Sequence, residues 1–333
     1  MKKLAQIIAF FLLVTPAMAQ QRPQYSQYIF NNFLLNPALS GIESYTDLRM
    51  GMRKQWVGIE GAPTTYYISG HTSFGMSDHN APQSKFSKQM KVSSRSTTKY
   101  HKSRPHHGFG AMAQADQTGP LKTSNVALTY AYHHPLTRRV NMSVGMSAGA
   151  LQNRLDPNML HLVNENDPSL QLGRMANTKF DMAVGTWIYS DFFYVGASAT
   201  QIFPDKKTVN NDGYATFDMQ PHFFLTGGYR IRVRYDLTVE PSVMIKMAQP
   251  SPIAVDMNFK ATYADRFWAG VSYRHKDAVA ALAGLNVNYL LDVGYSYDLT
   301  TSALNNVSSG SHEIILGFKL RNKTRMLCPQ WLW

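Results

Sequence analysis

The chain has 333 residues, a net charge of +12, a charged fraction of 16% and one cysteine, Cys328. One cysteine excludes an intramolecular disulfide, and with it a small secreted scaffold stapled by bridges. The length suits one large domain or two ordinary ones, and the low charged fraction is sparse for a soluble surface.

Residues 1–19 read as a secretory signal: Lys2 and Lys3, an apolar run from Ile7 to Val14, then Ala17-Met18-Ala19 as a small-residue cleavage pattern. The run is short of the roughly 20 residues a spanning helix needs. Mature sequence would begin at Gln20, where a diacylated lipoprotein needs Cys. Further on, Ala278–Leu291 is the longest tempting apolar stretch, and Gly284, Asn286 and Asn288 break it. The mature chain is therefore either soluble and secreted or a β-barrel.

Residues 20–43 form a segment of their own. Tyr28, Ile29, Phe33 and Leu34 have spacings compatible with a short amphipathic helix, which Asn36-Pro37 ends. These apolar groups need a place to bury. A barrel lumen offers one, so the segment is expected to be a plug; the alternative is a periplasmic tail.

From residue 44 the dominant period is two. Tyr235, Leu237, Val239, Pro241, Val243 and Ile245 share one face; Asp236, Thr238, Glu240, Ser242, Met244 and Lys246 share the other. Ile253 to Tyr263 and Glu313 to Leu320 repeat the alternation. Alternating segments of about ten residues between turn residues are the mark of outer-membrane barrel strands. About fourteen are predicted, near 44–56, 63–74, 107–116, 122–133, 138–150, 178–190, 192–202, 219–232, 234–246, 253–263, 266–275, 278–289, 291–299 and 312–320. The fold class is all-β: a transmembrane antiparallel barrel over 44–320 with an N-terminal plug or short helix. An even count closes the ring and leaves no edge. A sandwich would have shorter strands, about five or six residues each.

An even count also places both ends of the barrel in the periplasm, with short turns after even-numbered strands. One connection breaks that pattern. Residues 75–106 follow the second strand, yet they carry Lys85, Lys88, Lys91, Arg95, Lys99, Lys102 and Arg104, with no acid from His79 to His107. This long basic loop is either a solvated, unstructured insert or a periplasmic docking segment. After the last strand, 321–333 is a tail with a basic collar (Arg321, Lys323 and Arg325) and an inert thiol at Cys328.

Chemistry-bearing motifs are absent. There is no HExxH, CxxC or GxSxG. The adjacent pairs His106-His107 and His133-His134 point to opposite faces of a strand, so neither makes a two-ligand metal site. Ser69 and His71 share a face, but nothing completes a catalytic set around them. No enzymatic activity, cofactor, metal or nucleic-acid partner is expected. Polar-face charges, including Arg49, Arg53, Glu240, Lys246, Asp256, Lys260, Arg274, Asp292, Asp298 and Glu313, would point into the lumen. They would either line a pathway or pair with one another, with Glu240 and Asp256 against Lys246 and Lys260. Arg53 and Gln55 end the polar face of the first strand, and Trp56 falls on its apolar face, suiting an interface girdle.

Four stretches, "QYSQYIFNNFLLNPALSG", "RKQWVGIEGAPTTYYISGH", "GYSYDLTTSAL" and "GSHEIILGFKL", occur in that order. Together they resemble the PorP/SprF family of type IX secretion outer-membrane proteins of the Bacteroidota, from Gln24 to Leu320. The resemblance implies an outer-membrane barrel without catalytic residues. It would help export or surface-anchor particular cargo, such as gliding-motility adhesins, and dock to the type IX machinery and its periplasmic lipoproteins. The basic 75–106 insert departs from the family. A porin-like or hydrophobic-solute transport barrel is the alternative. Candidate partner- or lumen-binding residues are Asn36, Pro37, Arg53, Gln55, Trp56, His71, Asp298, His312 and Glu313, with the seven basic residues of 75–106. Partners would be secretion machinery, cargo protein and outer-membrane lipid.

Overall fold

A computed structural model describes residues 26–75, 104–156, 159, 176–203, 220–248, 251–275, 277–301, 307–323 and 326–327. The signal segment, the basic residues Lys85 to Lys102, and Cys328 lie outside the described residues.

The strands are β1 (Thr46–Lys54), β2 (Thr64–Phe74), β3 (His106–Thr118), β4 (Leu121–Pro135), β5 (Asn141–Leu155), β6 (Ala176–Tyr189), β7 (Phe193–Thr200), β8 (His222–Tyr229), β9 (Ile231–Arg232), β10 (Leu237–Ala248), β11 (Ala254–Tyr263), β12 (Phe267–Arg274), β13 (Ala278–Asn286), β14 (Leu291–Thr300) and β15 (Ser311–Leu320). They form one antiparallel sheet that closes where β15 pairs with β1, Arg53 opposite Glu313. The two-residue β9 continues β8, because Gly228 opposite Ser242 and Ile231 opposite Val239 keep one register. The break falls opposite Pro241, which has no N–H to give the ladder. Fourteen staves therefore surround the lumen among the described residues, one for each alternating segment of the sequence.

Alternation sets the two faces. Along β11, Asp256, Asn258, Lys260 and Thr262 are buried inward, while Met257, Phe259 and Tyr263 point outward at 58%, 50% and 54% exposure. Exposed apolar residues recur on the outer face of the other staves, including Ile68, Leu128, Val144, Phe180, Val195, Leu225, Val271 and Ile314. Lipid is the solvent that accepts such a surface, and a closed ladder leaves no backbone group unpaired in it.

The interior holds large rings as well as polar groups. Tyr67, Trp187, Tyr194 and Trp268 face inward, and each is directly paired with a glycine on the next strand: Gly51, Gly196, Gly228 and Gly284. The rings lie over those glycines, so that a Cβ on Gly284 would come within 2.2 Å of Trp268 and one on Gly196 within 1.9 Å of Trp187. Glycine is thus required for close approach. The pairs hold the aromatics flat against the wall and leave the axis free.

Residues 26–45 occupy that axis. The single amphipathic helix expected there is replaced by three 3₁₀ turns, Gln27–Ile29, Asn32–Leu34 and Pro37–Leu39. The reason is all-round burial. Tyr28, Ile29, Phe30, Phe33, Leu34, Leu35, Leu39 and Ile42 are all buried. A helix with one apolar stripe would leave its other face without partners inside a ring of walls. Tyr28, Ile29, Phe30, Leu34 and Leu35 share one cluster with Phe224, Met244, Trp268, Leu282 and Ile315; Phe33, Ala38, Leu39 and Ile42 share another with Trp187, Tyr189 and Tyr194.

One mouth carries the short turns 136–140, 190–192, 233–236, 264–266 and 287–290, and also the 75–105 connection. The other carries the connections 55–63, 156–175, 201–221 and 301–310, together with tight turns at 119–120 and 275–277.

Candidate functional site: the arm and the lumen wall

The N-terminal arm is wired to the wall at both ends. Near the long-connection mouth, the backbone N–H groups of Ser26 and Gln27 donate to Glu313 Oε2 at 2.7 and 3.2 Å. Gln27 Nε2 donates to the Glu313 carbonyl at 2.8 Å. Arg53 bridges the two carboxylates around Ser26, with Nη2 2.8 Å from Asp298 and Nη1 3.2 Å from Glu313. The Ser26 hydroxyl donates to Asp298 and accepts from Arg53 and Arg274. Tyr67 Oη donates to the other Glu313 oxygen at 2.8 Å. Seven residues from β1, β2, β12, β14, β15 and the arm thus converge on one buried cluster. Buried ions persist only when paired and hydrogen-bonded in this way.

The remaining lumen charges pair along the wall, as the sequence alternatives allowed. Lys246 meets Asp256 at 2.6 Å, and Lys260 and Arg230 meet Glu240 at 3.7 and 2.9 Å. Lys319 meets Asp292 at 2.6 Å, and Arg49 meets Asp47 at 2.9 Å. The arm uses polar groups of this wall as well: Arg49 stacks 4.2 Å from the Phe30 ring centroid, and the neutral Asn258 Nδ2 donates to Tyr28 Oη at 2.6 Å.

At the short-turn end, Asn36-Pro37 is a wall contact. Asn36 Oδ1 accepts from the Ala38 N–H at 2.9 Å, and its Nδ2 donates to the carbonyls of Thr186 (3.0 Å) and Ala197 (3.3 Å). Ser143 and Ser198 donate to the carbonyls of Ala38 and Leu35 at 2.8 and 2.7 Å. Three histidines grip the next two residues. The Gly41 N–H donates to His71 Nδ1 at 3.2 Å, His106 Nε2 contacts the Gly41 carbonyl at 3.2 Å, and His133 Nε2 contacts the Ser40 carbonyl at 2.7 Å. His106 and His133 stack at 4.4 Å with their planes 5° apart. The wall here is stripped to glycine. A Cβ on Gly108 would fall 1.7 Å from the Ser40 carbonyl oxygen, one on Gly145 2.5 Å from Ala38 N, and one on Gly185 2.0 Å from Asn36 Oδ1.

The structure sorts the candidate residues. Asn36, Pro37, Arg53, His71, Asp298 and Glu313 meet at the arm, and Ser69 also binds it by accepting from Asn31 Nδ2 at 2.9 Å. Gln55 is buried just beyond β1, where its N–H donates to the Pro63 carbonyl at 2.9 Å. Arg104 is exposed. Two placements are corrected. Trp56 is not a strand residue on the apolar face: β1 ends at Lys54, and Trp56 turns at φ 44° in the 55–63 connection, its N–H donating to Ser311 Oγ at 3.1 Å. The ladder to β15 ends at Lys54, opposite His312, so the chain must turn there. His312 does not line the lumen: alternation from Glu313 puts it outside, 2.7 Å from Tyr295 Oη. The sequence reading missed His106, His133 and Arg274 as arm contacts. The signal was available only in the cross-strand register, which sets His106 opposite His133.

A ring of fourteen staves with an apolar exterior and a charge-paired interior is an outer-membrane β-barrel. One solved structure agrees at the level of fold, and two others are more distantly similar. The toluene transporter TbuX of Ralstonia pickettii aligns at TM-score 0.51 and 10% identity, covering 88% of this chain and 93% of its own. The CymD monoaromatic hydrocarbon channel aligns at 0.49 and 12% (90% and 93%), and a Pseudomonas aeruginosa FadL homologue at 0.45 and 10% (90% and 95%). A search of curated proteins gave no match. The chain belongs to the PorP/SprF family, type IX secretion system membrane proteins, whose family model matches residues 17–318.

Proposed function

We propose that this protein is a non-catalytic outer-membrane anchor of type IX secretion. It holds cargo such as an adhesin, or periplasmic machinery, against its mouths and does not pass solute through its lumen. The observation that supports this reading is the arm. It fills the axis with buried apolar side chains and is fixed by the Ser26–Arg53–Asp298–Glu313 cluster at one end and by the Asn36–Gly41 grip at the other. A transport barrel needs a continuous polar or apolar path, and here the arm's apolar side chains fill the axis while wall charges such as Lys246–Asp256 and Lys319–Asp292 pair with one another. In this reading residues 26–43 act as a plug, the short-turn mouth faces the periplasm, and the basic 75–106 connection adds a docking segment there.

Photo-crosslinking residues placed at Gly58 and at Arg138, one on each mouth, test this in cells. Mass spectrometry should recover type IX machinery or secreted cargo from at least one position. Crosslinks to neither class from both mouths would refute the reading.

A further inference from the structure

The two mouths differ in charge. Among the described residues, Arg138, Arg139, Arg232, Arg234, Arg266 and Arg321 at the short-turn mouth outnumber Asp191, Asp236 and Asp265. At the other, among the described residues, Lys54, Lys122 and Arg154 meet Glu60, Asp116 and Asp156, with Lys122 and Asp156 paired at 3.0 Å and Asp277 paired with Arg274 at 2.9 Å. At the short-turn mouth β2 ends and β3 begins, at Phe74 and His106, and Arg104 beside β3 is exposed there.

One element of that mouth projects. β8 pairs with β7 as far as Tyr229, after which the Arg230 N–H donates to the Phe192 carbonyl at 2.6 Å. Ile231 and Arg232 then pair only with β10. The hairpin tip therefore stands beyond the β6–β7 turn with one edge uncovered. Its sequence, Tyr229-Arg230-Ile231-Arg232-Val233-Arg234-Tyr235, alternates apolar and cationic residues. Ile231, Val233 and Tyr235 are 45%, 57% and 68% exposed. Arg230 turns to the lumen side, where it pairs with Glu240 at 2.9 Å. Period two puts Arg232 on that same axial side, with the apolar residues on the lipid side. Neither Arg232 nor Arg234 has an ion-pair partner among the described residues.

We infer that the short-turn mouth is a docking surface for an acidic protein segment, with the Arg232–Arg234 hairpin tip as its main contact. The inference rests on the anchoring function proposed above and names the chemistry of the partner. Alternation argues against lipid headgroups as the occupant of these arginines: the face toward lipid is the apolar one, and Arg232 points over the mouth. Arginine's planar fork suits Asp and Glu carboxylates, and an excess of one sign at one mouth steers an acidic partner there.

The test uses the full chain in zwitterionic phosphatidylcholine nanodiscs and a fluorescent 20-residue poly-glutamate peptide as probe. Binding should weaken with salt. It should fall about tenfold in Arg232→Glu/Arg234→Glu and less in Arg232→Gln/Arg234→Gln. Lys54→Glu/Arg154→Glu, with the same change of charge at the other mouth, should leave it unchanged. Heat-modifiable gel migration confirms that each variant is a closed barrel. No binding, or equal losses from both mouths, overturns the inference. So does a result in which the hairpin variants lose only stabilisation by phosphatidylglycerol nanodiscs, which would assign these arginines to lipid. The outcome separates from that of the function itself. If Arg138 still crosslinks to type IX proteins in cells carrying the hairpin variant, docking stands and this contact surface fails.

Discussion

Replacing Arg53 with Met removes one charge from the Ser26 cluster and keeps most of the side-chain volume. Asp298 and Glu313 are then left buried beside each other, at 1% and 0% exposure, with Arg53 gone from both. Arg274, 3.9 Å from Asp298, is held 2.9 Å from Asp277 and 3.7 Å from Asp256, so it offsets only part of the lost charge. Breaking a buried pair by removing one partner costs about 3–5 kcal/mol. The ladder between β1 and β15 does not depend on this side chain, so most of that cost should fall on the arm. Released, its first turn would let water reach both carboxylates. A shift of about 3–5 kcal/mol is roughly a hundred- to several-thousand-fold change in the docked-to-undocked ratio. Hydrogen exchange read by mass spectrometry should show protection of the 26–43 amides falling by about that factor, while β3–β6 amides stay protected. Adding Asp298→Asn and Glu313→Gln should restore much of the protection, because the unpaired charges go with the arginine. Unchanged exchange in 26–43, or equal loss throughout the barrel, would refute the argument that this cluster latches the arm.

Three further outcomes follow from the packing. Gly145→Val places side-chain atoms where Ala38 lies, with the first new carbon 2.5 Å from Ala38 N, and should make 26–43 accessible to protease in a barrel that still migrates as folded. Gly284→Val drives a side chain into Trp268 and should destabilise the β12–β13 pair by about 1–3 kcal/mol, read as a lower urea midpoint for unfolding in detergent. Phe259→Arg, on the lipid face, should cost up to about 2–4 kcal/mol and lower insertion into vesicles, whereas Phe259→Leu should insert normally.

The barrel was legible because its alternation is a local property of each stave. Lipid selects the apolar face, and the charges on the other face must pair, which made the Lys246–Asp256 and Lys260–Glu240 neighbours readable from β10 and β11 alone. The site was less legible because it is made by register and by space. His106 and His133 look like polar residues at strand ends until pairing sets them opposite one another beneath Ser40 and Gly41. Spacing in 28–34 suggests a helix, but a lumen that buries every side favours turns that aim side chains in all directions. Trp56 sits within two residues of the end of a readable strand, and the loss of its ladder partner reverses its placement. The pairing of inward aromatics with glycines follows the same rule, since Gly284 means little in sequence until Trp268 lies over it.

The central claim is that the arm closes the lumen and leaves the mouths as the working surfaces. Single-channel recording of the full chain in planar bilayers tests it most directly, beside a variant lacking residues 26–43 that has been shown to fold by heat-modifiable migration. The full chain should be silent, and the shortened barrel should conduct steadily. Steady conductance from the full chain, equal to that of the shortened one, would contradict it.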